Sequence, residues 1–93
     1  MPSLMYLESK QARLKKQIAD NLDILIGSIS TKGPTRPGFN LTFKVDQITR
    51  SRHIRKETLS KVRQMTQKYQ KLKELLQQLS HTNWEILKEQ SSK

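Results

Sequence analysis

The spacing of apolar residues changes twice along this chain, and that double switch limits the folds open to it. Leu4, Leu7, Gln11, Leu14, Ile18, Asn21 and Leu25 follow 3-4-3-4-3-4 steps. This is the seam of a coiled coil or helical hairpin, with two polar interruptions. Ser3 is a suitable N-cap and Gly27 a suitable stop, so the predicted first helix spans 4–25. From Gly27 to Ile54 the helical period is lost. Gly27 to Thr31 is a short β-like run, and residues 32–38 hold two Gly and two Pro, which makes them a loop. Phe39-Asn40-Leu41-Thr42-Phe43-Lys44-Val45 then alternates apolar and polar, as a half-buried strand does. Asp46-Gln47 is the expected turn and Ile48 to Ile54 the returning strand.

The helical period returns near Lys56. Leu59, Val62, Met65, Tyr69, Leu72, Leu76 and Leu79 mark its stripe. The long helix, predicted over 56–80, has two possible ends. Thr82-Asn83-Trp84-Glu85 matches a capping box that would restart a short helix, whereas Asn83 and Ile86 continue the same spacing to about Glu89. The fold class expected is therefore α+β in a single domain, 1–93. An N-terminal helix leads into a β segment over 27–54, a hairpin or, if 27–31 join it, a three-stranded meander, and the long helix pairs antiparallel with the first. The Phe39, Leu41, Phe43, Val45 face should pack on the helix pair, since an isolated hairpin is marginal in water. Trp84, Ile86 and Leu87 are read as the cap on the open end of that pair, with an exposed anchor for a partner protein as the alternative.

Charge is distributed as unevenly as periodicity. Between Thr31 and Lys73 lie twelve Lys or Arg and two acids, Asp46 and Glu57; 12 − 2 = +10 equals the net charge of the whole chain. Charge gathered in one segment implies a surface facing a polyanion. If the turn has two residues, Val45 pairs with Ile48, Phe43 with Arg50 and Leu41 with Arg52. Arg50 and Arg52 then share the apolar face, while Thr42, Lys44, Thr49, Ser51 and His53 share the other. A two-stranded ribbon fits the DNA major groove, where Arg reads guanine and Ser or Thr reaches phosphate. The competing reading is that the two arginines protect a sheet edge from pairing with other chains. Lys32 and Arg36 sit in the Gly/Pro loop, which either follows phosphates or simply connects. Arg55, Lys56, Lys61, Arg63 and Lys68 lie at the start of the long helix. Singly each is an ordinary solvated cation; as a block with Lys71 and Lys73 they are harder to dismiss, because no acid follows Glu57 until Glu74.

Other classes lack their residues. The chain has no Cys, two isolated His (His53 and His81), and no HExxH, Ser-His-Asp or P-loop spacing. No enzyme activity, cofactor or metal is expected. No apolar run approaches a membrane span and the N-terminus does not read as a signal peptide, so a cytoplasmic protein is expected. Hydrophobic residues make up 33%, below the globular norm, which predicts a thin core: a marginal monomer, a self-associated oligomer, or a fold completed by a larger protein partner. Among nucleic acids DNA is favoured over RNA, with an RNA-binding module kept as an alternative; the five aromatics are too few and scattered for a platform that stacks single strands.

Leu25-Ile26-Gly27-Ser28-Ile29, Lys44-Val45-Asp46, Arg50-Ser51-Arg52-His53-Ile54-Arg55-Lys56-Glu57 and Gln67-Lys68-Tyr69-Gln70-Lys71-Leu72-Lys73-Glu74-Leu75-Leu76 carry a resemblance. Over about residues 22–87 the chain resembles a family of small uncharacterised prokaryotic proteins often encoded in or near transposons. Typical members carry a cysteine cluster, similar to a zinc knuckle, between the first strand and the hairpin. Here that stretch, 31–40, has no cysteine, so the resemblance implies a lost or replaced metal function. It also implies a mobile-element context and a DNA-linked role, and it supplies no catalytic residue.

Overall fold

The computed structural model describes residues 3–91. The elements are α1 (Leu4–Ala19), β1 (Ser28–Thr31), β2 (Phe39–Val45), β3 (Ile48–Ile54), a single 3-10 turn (Lys56–Thr58) and α2 (Leu59–Ser91). The chain divides into two compact units: residues up to Leu22 with those from Gln70 onward, and Asp23–Tyr69.

The helical unit pairs α1 with the second part of α2. Ser3 caps α1 as expected, its hydroxyl oxygen accepting from the Tyr6 amide at 3.2 Å. The helix stops at Ala19, six residues before the end that the apolar spacing suggested. Asp20 forms the C-cap, and the side-chain Nδ2 of Asn21 donates to the Gln17 carbonyl at 2.7 Å. Asp and Asn compete for backbone groups and favour helix ends, so the apolar steps that continue to Leu25 belong to non-helical chain between α1 and β1. Leu7, Leu14, Leu72, Leu75 and Ile86 are the buried apolar residues of the seam, each stabilising by about 1.5–3 kcal/mol. On α2 the buried row reads Leu72, Leu75, Leu79 (half-buried), Thr82, Ile86. Leu75 therefore occupies the seam position expected of Leu76, which is exposed. Stepping three residues from Leu72 rather than four keeps the stripe on one face. Thr82, 1% exposed, satisfies its hydroxyl by donating to the Gln78 carbonyl at 2.9 Å. Of the cap expected from Trp84, Ile86 and Leu87, only Ile86 is buried. The helix is unbroken through Ser91, with no restart at Thr82.

In the sheet unit three antiparallel strands run in the order β1-β2-β3. The hairpin register matches the alternation: Val45 faces Ile48, Phe43 faces Arg50 and Leu41 faces Arg52. Asp46 and Gln47 both have positive φ, 51° and 65°, the type I′ geometry that matches strand twist. Leu41 and Ile54 are the buried apolar residues, while Phe39 and Phe43 are half-buried and Val45 is exposed. The apolar face was expected to rest on the helix pair; within this unit it meets the start of α2. Leu59 lines a cleft with Phe39 and Ile54, the Arg63 guanidinium lies over the Phe39 ring, and the Leu25 amide donates to the Met65 carbonyl at 3.2 Å.

Gly27 does not end a helix. It sits at the entry to β1 with φ +145°, and a Cβ there would lie 2.6 Å from the Thr42 carbonyl oxygen and 3.0 Å from Leu41 Cδ1. Close approach of two backbones is what requires glycine at this position.

A candidate nucleic-acid interface on the sheet unit

The sheet sorts its residues by chemistry. One face carries Ile29, Phe39, Leu41, Phe43, Ile48 and Ile54, together with Arg50 and Arg52. The other carries Ser28, Ser30, Asn40, Thr42, Lys44, Thr49, Ser51 and His53. The Ser30 and Thr42 hydroxyls are 2.9 Å apart across the β1–β2 pair. Lys44 thus lies on the opposite face from the two arginines. The contribution of β1 to the hydroxyl face was not part of the sequence reading; its signal is the Ser28-Ile29-Ser30 alternation.

β3 is an edge strand, exposed from Ile48 to His53. Every second residue of such a strand leaves its N–H and C=O outside the ladder. Arg52 is the cation most closely held on it. Its guanidinium carbon stands 5.3 Å from the Phe43 ring centroid, and it lines a shallow cleft with Leu25, Ile26, Leu41 and Phe43. Stacking on a ring fixes the guanidinium plane while leaving its in-plane N–H groups free to donate.

A second group gathers where the Gly/Pro loop returns to the sheet. The Lys32 amide donates to the Gly38 carbonyl at 3.2 Å and closes the loop at its base. The Lys32 stem and the His53 ring both come within 4 Å of where a Gly38 Cβ would lie. Pro37, Gly38, Phe39, His53, Ile54, Lys56 and Leu59 line an open cleft of about 460 Å³. Arg36 is exposed in the loop, and Arg63 reaches the Phe39 ring at 5.8 Å from its own helix. Arg55 and Lys56 are exposed at the strand-to-helix junction.

Lys68 stands apart from this set. Its ammonium bonds both carboxylate oxygens of Asp23, at 2.8 and 3.0 Å. That hydrogen bond is the main reason the Asp23 carboxyl is held below its ordinary pKa, and Lys61 adds a smaller coulombic pull. Lys68 is thus engaged in the frame. Among the described residues, Lys32, Arg36, Lys44, Arg50, Arg52, Arg55, Lys56, Lys61 and Arg63 have no carboxylate within ion-pair distance. The unit holds ten Lys or Arg against Asp23, Asp46 and Glu57; 10 − 3 = +7 of the chain's +10.

Among the described residues no three of His, Asp and Glu gather as a metal-holding group, and no helix is long and apolar enough to cross a membrane. No protein-family model, no curated protein and no solved structure matches this chain.

Proposed function

We propose that this is a small, non-enzymatic, cytoplasmic nucleic-acid-binding protein with duplex DNA as its first ligand. The observation that carries the reading is the +7 sheet unit, whose nine outer cations have no carboxylate partner among the described residues. Unpaired cations on a folded frame favour a polyanion because each phosphate engaged releases condensed counterions. The β2–β3 ribbon supplies Arg50 and Arg52 along an exposed edge. The loop end supplies Lys32, Arg36, His53 and Lys56, and the start of α2 supplies Arg55, Lys61 and Arg63. Short hydroxyl side chains on the second face suit phosphate contact where Lys44 approaches the backbone. The resemblance to transposon-linked proteins favours an accessory or regulatory factor of a mobile element.

Fluorescence anisotropy with random duplex DNA, single strands and structured RNA at two salt concentrations tests the reading. Duplex binding that weakens steeply with salt is expected. Changing Arg50 and Arg52 together to Ala should lower the magnitude of the log–log salt slope by about 1–2. Lys68→Ala should leave it nearly unchanged. No measurable binding to any of the three nucleic acids sinks the proposal and leaves an adaptor that docks on a larger nucleoprotein machine. Preference for structured RNA would move the ligand to that class.

A further inference from the structure

One cleft on the sheet unit combines apolar walls with a cationic rim. It opens where β2 begins, β3 ends and α2 starts; Phe39 faces Ile54 in the register at that end. Pro37, Phe39, Ile54 and Leu59 are its apolar lining. Ile54 is buried, and Phe39 and Leu59 are half-buried, so the packed sheet holds most of these walls in place. The Arg63 guanidinium lies over the Phe39 ring, 5.8 Å from its centroid, without itself lining the cleft. His53 and Lys56 are the polar side chains among the lining residues, and both are exposed. Lys32 stands at the same rim. Its Cδ and Cε lie 3.5 and 3.7 Å from where a Gly38 Cβ would be, and His53 Cε1 lies 4.0 Å from the same point.

We propose that this cleft receives one unpaired base of a nucleic-acid strand, with the flanking phosphate held by Lys32, His53 and Lys56. The inference rests on the nucleic-acid reading above and narrows it to strands that carry a bulged or frayed base. At about 460 Å³ the cleft falls within the range of small-ligand sites. Its two kinds of lining ask for an occupant that is apolar and flat at one end and anionic at the other. An apolar side chain from a partner protein brings no anion to the three cations. A phosphate alone leaves the apolar walls uncovered. A nucleotide brings both within one unit. Every base has a π-face, and Phe39 and His53 offer rings to stack on it. A base inside an intact duplex is paired and stacked, and taking it out costs energy that an already unpaired base does not.

The cations beyond the rim select a strand over a free nucleotide. Arg36, in the same loop, and Arg55, next to Lys56, are both exposed, and neither has a carboxylate partner among the described residues. One phosphate cannot serve all five cationic side chains, whereas the successive phosphates of a strand can. One cleft holds one base, so the arrangement is not a platform for a run of single strand. It marks a single irregular position in a strand whose neighbouring phosphates are gripped without regard to sequence.

Fluorescence anisotropy of the full chain at one salt concentration, with three labelled duplexes of the same sequence, is the test. One duplex is fully paired, one carries a single bulged adenine, and in the third that bulge is abasic. The abasic bulge keeps the phosphate and removes only the base. The adenine bulge should bind about fivefold tighter or more than either of the others, as stacking of one base provides. Phe39→Leu removes the ring but keeps an apolar wall, and His53→Ala removes the ring at the rim. Each should bring the ratio of adenine-bulge to abasic-bulge affinity towards one. Circular dichroism checks that each variant is folded; should Phe39→Leu unfold, His53→Ala carries the test alone. Free deoxyadenosine monophosphate at the concentration of the bulged duplex should not displace it, and displacement overturns the choice of a strand. Equal affinity for the adenine and abasic bulges overturns the proposal, as does a ratio that the folded variants leave unchanged. If the fully paired duplex is still bound in those cases, the nucleic-acid reading stands without this site. No binding to any of the three duplexes overturns both.

Discussion

Replacing Gly27 by Ala tests the account of how the sheet unit closes. An added Cβ lies 2.6 Å from the Thr42 carbonyl oxygen, a backbone atom that cannot swing aside, and 3.0 Å from Leu41 Cδ1. Thr42 faces Ser28 in the β1–β2 register, so relief of the clash pulls β1 off β2. A non-glycine residue at φ +145° adds about 1–3 kcal/mol of strain, and disturbing a ladder hydrogen bond adds about 1 kcal/mol. The sum is about 2–4 kcal/mol. For a chain of this length each kcal/mol moves Tm by about 4–8 °C, so a fall of 10 °C or more is expected. Gly33 is the internal control. It also has positive φ, +119°, but nothing lies within 4 Å of its added Cβ. Gly33→Ala should cost only the conformational part. Urea unfolding of both variants beside the parent measures the difference. Equal losses at the two positions would refute the close-approach argument, as would a Gly27→Ala loss below about 1 kcal/mol.

Two further outcomes follow from the packing. Leu75→Ala should cost about 2–5 kcal/mol through the cavity it leaves, whereas Leu76→Ala, on the exposed flank, should change the monomer's unfolding by well under 1 kcal/mol; thermal melts at low protein concentration separate them. The Asp23 carboxyl is held below its ordinary pKa by Lys68. Its contribution is therefore present above the unfolded-state pKa and lost as pH falls through the folded one. The stability gap between the parent and Asp23→Asn should be open near neutrality and close in acid below the ordinary carboxylate range, read by urea unfolding across pH.

Local rules made the hairpin legible. Alternation over residues 39–45 set the faces, a two-residue turn set the register, and both follow from neighbours in sequence. The end of α1 was not legible, because Leu22, Ile24 and Leu25 look the same in a helix as in a strap laid along another element. What decides is the bond from the Leu25 amide to Met65, forty residues on. The Leu75-Leu76 pair gave two steps from Leu72, and only the partner helix chooses between them. For the candidate site, the density of positive charge was plain in the chain. The removal of Lys68 by Asp23 and the placing of Arg63 over Phe39 were not, since each joins residues more than twenty apart. Trp84 illustrates the opposite limit: its spacing fits a helix whether it points to the seam or away.

The sheet unit folds against its own repulsion. A surplus of seven positive charges sits on 47 residues, over a centre in which Leu41 and Ile54 are the buried apolar side chains. Mobile anions relieve that repulsion at close range, so adding salt toughens the unit against heat. The same ions compete for any phosphate chain it would hold. Melting point and grip on a polyanion should thus move in opposite directions as ionic strength rises, and a bound strand would itself act as the missing counter-charge.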